Sequence, residues 1–461
     1  MLTNIKIAQR HIVPLSRLRE RAGERGSIKM LLAAFLLVVT GNLFAAPQIQ
    51  HWQMDNGVRV YFVENHDLPL LDVSLGFDAG SRRDAPEKSG LASLVRRTLA
   101  MGAGGLNEDE ISKRMADVGA VLGGSLDDDR AGVSLRTLSS EREREQALGV
   151  MARVIQQPEF PEAVLQREKN RIIAALKEAE TQPDHIAGKA FSAMLYGTHP
   201  YARESSGEVA TVAKLTRRDA VDFYHGWYRS DNAVLAIIGD VTQAQAQAIA
   251  TRLSGALPRG QGKDQPLPPV APLAQAETRR IAHPATQSHI LMGMPGMRRD
   301  DPDYFPLFVG NYILGGGGFD SRLLDEVRQK RGLAYSAHSY FIPMLQEGPF
   351  QIGLQTRRDQ ADQALAVVRE TLAKYVAAGP TEAELKQAKD NLIGGFPLRI
   401  DSNQKILDYL SVIGYYRLPL TYLGDFSAKV EKVSVADIRD AFVRRVKPEV
   451  MATVIVAADG K

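Results

Sequence analysis

The chain has 461 residues, 44% of them hydrophobic and 24% charged, which excludes disordered, collagen-like and coiled-coil classes. That length is about three times the ~150 residues of a typical domain, so two or more packed domains are expected. Seven of the 57 Lys+Arg but only two of the 54 Asp+Glu lie in residues 1–45, so the chain's net +3 becomes −2 for the remainder. Nothing beyond that segment makes an electrostatic case for a nucleic-acid partner.

The basic stretch ends at Lys29, an apolar run follows from Met30 to Val39, and small residues lead out through Ala45 and Ala46. This order predicts a signal peptide over 1–45 and export to a bacterial periplasm. The alternative is an uncleaved anchor in the inner membrane, although the run falls short of the ~20 residues a spanning helix needs. No later segment reads as a membrane span. The chain has no cysteine, so disulfides, thiolate metal sites and Cys nucleophiles are excluded.

Strands are expected at Val58–Val63 and Leu70–Phe77, then at Val133–Leu138, with long helices at Ser140–Gln156 and Pro161–Glu180 and a closing strand at Ala233–Ile238. Asp127, Asp128 and Asp129 read as a solvated polar loop, and Glu141–Glu145 as an exposed helix start. Residues 257–275, rich in Pro, Gly and Gln, read as a linker. Beyond it the order recurs: strands at His289–Gly293 and Phe350–Thr356, helices at Arg358–Ala377 and Thr381–Phe396, and a last strand at Met451–Val456.

The recurrence extends to the residues. Val133–Thr137 resembles Ile352–Thr356, Glu145–Leu148 resembles Asp362–Leu365, Leu165–Ile173 resembles Leu385–Ile393, and Ala233–Ile238 resembles Met451–Val456, at offsets of 217 to 220 residues. A nearly constant offset predicts two similar α+β domains of about two hundred residues, at 46–256 and 276–461, with strands at the ends of each and helices between.

Two motifs carry a family resemblance. Gly80-Ser-Arg-Arg-Asp84 with Ser89-Gly-Leu-Ala92 resembles the lead-in to the zinc helix of the pitrilysin/insulinase family, which includes the mitochondrial processing peptidases. Leu314–Leu323 with Glu326–Tyr335 resembles that family's C-terminal signature closely. The resemblance covers about residues 50–458. It implies two homologous domains forming half of a clam-shell.

Active members carry H-x-x-E-H after Gly-Leu-Ala: two His on one helical face hold zinc and the Glu activates its water. The aligned positions here are Ser93, Arg96 and Arg97, and the distant Glu ligand falls most simply at Ala175. A guanidinium has no lone pair for a cation, so no metal and no catalytic residue are expected on this chain. None of its nine His lies three or four residues from another, so no helical two-His face replaces the site. His51, His66, His185 and His225 read as surface or satisfied polar positions, and His199-Pro-Tyr201 as a structural turn.

The resemblance further implies a division of labour between two chains. One chain bears zinc; the other supplies an Arg/Tyr pair, here Arg331 and Tyr335, that reaches the substrate backbone. Gly315, Gly316, Gly317 and Gly318 read either as a substrate-side loop or as a plain helix-entry turn. No Gly-Lys-Ser/Thr phosphate loop and no G-x-S-x-G elbow is present. The expected function is therefore a non-catalytic, substrate-binding subunit of a periplasmic heteromeric zinc endopeptidase, paired with a homologous zinc-bearing chain and acting on unfolded peptides. The alternative is a scaffold protein of the same descent.

Overall fold

The computed structural model describes residues 47–260 and 266–457. The expected signal peptide and the centre of the expected linker lie outside the described residues. In chain order the first half contains β1 (Gln50–Gln53), β2 (Arg59–Glu64), β3 (Leu70–Phe77), α1 (Leu91–Thr98), α2 (Glu108–Ala116), β4 (Val121–Leu126), β5 (Ala131–Leu138), α3 (Glu141–Gln156), α4 (Glu162–Ala179), α5 (Pro183–Tyr196), α6 (Arg217–Trp227), β6 (Val234–Gly239) and α7 (Gln243–Ser254). The second half contains β7 (Glu277–Ile281), β8 (Gln287–Met297), α8 (Tyr304–Asn311), β9 (Ala334–Phe341), β10 (Gly348–Arg357), α9 (Ala361–Ala378), α10 (Glu382–Gly394), α11 (Asn403–Tyr416), α12 (Tyr422–Lys432), α13 (Val435–Arg445) and β11 (Ala452–Val456).

Local signals set these boundaries. α2, α6, α7, α10 and α13 each open on a capping box, at Asn107/Glu110, Thr216/Asp219, Thr242/Gln245, Thr381/Glu384 and Ser434/Asp437. The reciprocal side-chain bonds satisfy backbone N–H groups that the first turn leaves free. Along α9 the buried residues recur at three- and four-residue steps (Ala361, Ala364, Leu365, Val368, Leu372, Tyr375), the stripe of a helix lying on a core.

The internal repeat is structural. The first sheet runs β1-β2-β6-β3-β5-β4 and the second β7-β11-β8-β10-β9. In each, the first strand of the repeat lies parallel to the last (β2 with β6, β7 with β11), and the other pairings are antiparallel. The matching segments Val133–Thr137 and Ile352–Thr356 fall in the equivalent strands β5 and β10. Helices and sheets segregate as α+β layers.

The closing strands β6 and β11 are buried along their whole lengths, as continuous apolar runs covered on both faces should be. One cover comes from the other half of the chain. α5 lays Ala187, Ala190, Phe191 and Leu195 against Ala452, Val454 and Val456 of the second sheet. α11 returns the arrangement on the first sheet: Arg59 Nη1 donates to the Gly414 carbonyl at 2.7 Å, and Asn65 Nδ2 to Asn403 Oδ1 at 2.9 Å. At Gly414 a Cβ would lie 2.4 Å from Val234 Cγ1, so only glycine lets this helix sit so close to β6. The two halves thus exchange helices, and each core needs the other half to close it.

Asp129 locks the exchange. The expected solvated loop is corrected here: Asp129 is 1% exposed. Its Oδ1 accepts from Tyr201 Oη at 2.6 Å, with Arg82 Nε at 3.3 Å. Its Oδ2 accepts from Tyr416 Oη at 2.9 Å and from the Leu345 backbone N–H at 2.8 Å. Its own carbonyl accepts from Tyr415 Oη at 2.8 Å. These donors come from both halves. Sequence polarity misled because the aromatic partners lie 72 to 287 residues away.

Residues 266–273 form neither helix nor strand. They are pinned by His199 Nε2, 3.0 Å from the Pro268 carbonyl, and His199 Nδ1 accepts from the Tyr201 N–H at 3.2 Å. His199 therefore joins the turn before Tyr201 to the crossing segment. No helix among the described residues is long and apolar enough to cross a membrane.

Two predictions follow from this packing. Asp129→Ala leaves two buried phenols and the Leu345 N–H without their acceptor and takes one of two carboxylates from the buried Arg82 guanidinium, and should lower the unfolding free energy by about 3–5 kcal/mol; a urea-unfolding loss below about 1 kcal/mol would refute the lock. The second concerns Glu384, which Arg322 grips with Nε at 2.6 Å and Nη2 at 2.7 Å. Burial raises this carboxyl, but the bonds from Arg322 and Thr381 outweigh it and hold its pKa at about 2. Its contribution is present above the unfolded value of about 4.3 and is lost as pH falls towards 2. The stability gap between wild type and Glu384→Gln should therefore narrow from pH 5 downward, and a pH-independent gap would contradict it.

Candidate functional site

The first candidate surface is the face of α1. Asp84 prepares it: its carboxylate accepts from the N–H groups of Gly90 and Ala92, both at 2.8 Å, and so caps the helix. Burial pushes the Asp84 carboxyl up to about 7. Ser93 is buried in the helix. Arg96 turns to β4, where Nη2 donates to the Gly124 carbonyl. A Cβ at Gly124 would stand 2.8 Å from that nitrogen, so glycine makes room for the guanidinium.

Arg97 turns to α4, with Nη1 3.8 Å from Glu168 Oε2. Glu168 is 1% exposed and also meets Arg167 Nε at 3.0 Å and Arg171 Nη1 at 2.7 Å. Three guanidinium groups thus neutralise one buried carboxylate. Ala175 is exposed, two helical turns beyond Glu168 on the same helix. The donor set does not fit zinc, because the positions aligned with the two His and the Glu between them hold a hydroxyl and two permanent cations. Among the described residues, no group of three or more His, Asp or Glu is placed to hold a metal. Glu168 escaped sequence reasoning; its signal was the arginine on either side at 167 and 171.

The second candidate surface is Gly315–Tyr335. A π-helical turn over Tyr312–Gly316 continues α8, and a second spans Asp325–Gln329; such turns are frequent at functional sites. Gly315 is buried against β9, where a Cβ would lie 2.4 Å from Ser339 Oγ. Gly316 and Gly317 pack against Asn311 and Tyr312, and Gly318 alone of the four has positive φ, at 66°. Most of this glycine run thus serves the chain's own packing.

Tyr335 is 80% exposed and sits in a bulge between Ala334 and Ala337, which swings it off the regular strand. The cation it meets is Arg328, whose Cζ stands 4.5 Å from the Tyr335 ring and 5.1 Å from the ring of Phe319, itself 67% exposed. Arg328 has no carboxylate partner among the described residues. Arg331 is differently engaged: Nη1 donates to the Glu326 carbonyl at 2.8 Å and pairs with the Glu326 carboxylate. The structure therefore brings Tyr335 together with Arg328, and Arg331 together with Glu326. Sequence reasoning passed over Arg328 because the π turn that holds it and the bulge at Tyr335 change the spacing a regular helix and strand would give. Arg328 and Tyr335 together present unspent N–H and O–H donors on one exposed surface, suited to an oxygen acceptor.

With this geometry in hand, the comparisons with known proteins are specific. Residues 59–208 match the family described as Insulinase (Peptidase family M16), and residues 214–392 match the one described as Peptidase M16 inactive domain. A crystal structure of a peptidase M16 inactive domain from Pseudomonas fluorescens aligns with a TM-score of 0.86 at 36% identity, covering 89% of this chain and 98% of that one. The non-peptidase homolog YmxG of Helicobacter pylori is 24% identical over 418 residues, 89% of this chain and 94% of the relative. The uncharacterized zinc protease YmxG of Bacillus subtilis is 24% identical over 356 residues, 77% of this chain and 85% of the relative. The chain belongs to the M16 peptidase family.

Proposed function

We propose that this protein is the non-catalytic, peptide-binding subunit of a heteromeric zinc endopeptidase, exported to the periplasm by its leader or held at the inner membrane if the leader stays uncleaved. The observation that carries this reading is the pairing of exposed Tyr335 with half-buried Arg328, both with donors free, on a chain whose zinc face is closed by arginine. A phenol and a guanidinium are both donors for an oxygen that gains negative charge at a tetrahedral centre. On this chain they have no metal to work beside, so the zinc comes from a homologous partner. The edge strand β4, paired only with β5 among the described residues, offers backbone groups to an extended peptide.

The test combines this chain with a homologous H-x-x-E-H chain and an unstructured fluorogenic peptide. Cleavage should require both chains, and this chain alone should retain no stoichiometric zinc after dialysis. Tyr335→Phe and Arg328→Ala should each lower turnover by ~10-fold or more with the partner's zinc content unchanged. Arg331→Ala, which removes a group already paired with Glu326, should cost less. Wild-type turnover in both the Tyr335 and Arg328 variants would overturn the assigned role, and full activity of the zinc chain alone would favour the scaffold reading.

A further inference from the structure

A cleft of about 440 Å³ opens in the second half, between α8, the Tyr312–Gly316 turn and the end of β9. Its walls are aromatic and apolar, with Tyr304, Phe308 and Phe341 inside and Tyr340 and Ile342 half-exposed at the rim. Two cations line it, Arg299 and Arg399, and no Asp or Glu does. Neither guanidinium makes an ion pair or a side-chain hydrogen bond among the described residues. Arg299 Nε is buried with no acceptor, a costly state for a charged donor. Aromatic faces stand by both: Tyr416 at 5.3 Å from Arg299 Cζ and Phe308 at 5.9 Å from Arg399 Cζ. An adjoining recess of about 240 Å³ shares both arginines and adds Asp408, which takes a bond from Gln404 rather than from either arginine.

Two unspent guanidinium groups in an acid-free aromatic cleft call for a ligand that is anionic at one point and apolar beside it. The volume lies within the roughly 300–1,000 Å³ of ordinary ligand sites. Arginine presents paired N–H donors in the geometry of a carboxylate. We propose that this cleft receives the free C-terminal carboxylate of a peptide together with the apolar side chain next to it. The carboxylate lies between Arg299 and Arg399 and the side chain against Tyr304 and Phe308. The site is separate from the Arg328–Tyr335 pair. The peptide class of ligand rests on the peptide-binding reading above; the carboxylate and its apolar neighbour rest on the cleft.

The test measures binding of fluorescein-labelled hexapeptides ending in Leu-Phe, as free acid and as amide, to the purified chain by anisotropy. The acid should bind at least tenfold tighter than the amide. Arg299→Gln and Arg399→Gln should each bring the acid down towards the amide while leaving the amide unchanged. Arg399 is exposed, so its variant keeps the test valid if the Arg299 variant unfolds. Equal binding of acid and amide would overturn the carboxylate site and leave the peptide-binding reading standing. Binding of neither peptide would overturn both. Tight binding of laurate with no binding of the acid peptide would assign the cleft to a fatty acid and overturn the proposal.

Discussion

One buried carboxylate holds the two halves of this protein in a single arrangement. Asp129 is 1% exposed and has its two oxygens shared among a guanidinium, two phenols and a backbone N–H. A lone buried carboxylate would cost several kcal/mol in desolvation. Full satisfaction offsets that cost, and directionality makes it specific, because Tyr201, Leu345 and Tyr416 must all be in place at once. Those residues follow α5, lie in the turn between β9 and β10, and end α11. The ionic cluster therefore reports whether the helix exchange is correct. Apolar packing alone, being non-directional, would not specify it so sharply.

The exchange has consequences for both candidate surfaces. α11 covers the first sheet and its last turn also supplies Tyr416, whose ring backs Arg299 in the second-half cleft. α5 covers the second sheet and leads to His199 and Tyr201, which fasten the crossing segment and the Asp129 cluster. Tyr335 lies on the bulged edge strand β9 and Arg328 in the π turn before it, outside this shared core.

Much of this was legible in the sequence, and the reasons are physical. The runs at Ala233–Ile238 and Met451–Val456 read as strands because central strands covered on both faces are continuously apolar. The repeat offset survived because equivalent strands and helices face equivalent packing constraints. The edges were less visible. β4 contains Gly123-Gly124, β7 is Glu-Thr-Arg-Arg-Ile with four exposed positions, and β9 mixes small and polar residues; none carries a clean two-residue period. The exchange of α5 and α11 left no mark either, since an amphipathic stripe says that a face is buried but not against which sheet. Asp129 belongs with these, because its solvated appearance was undone only by residues distant in the chain.

The face of α1 then acquires a simple electrostatic logic. Glu168 is buried on α4 beside α1. From the neighbouring α1, Arg97, with Arg167 and Arg171 of α4 itself, supplies positive charge to Glu168. Arg96, one residue earlier, is drawn the other way and spends its donor on the Gly124 carbonyl of β4. These contacts tie α1, α4 and β4 together as one packed, arginine-rich surface. On the other half, exposed Tyr335 and half-buried Arg328 keep their donors unspent.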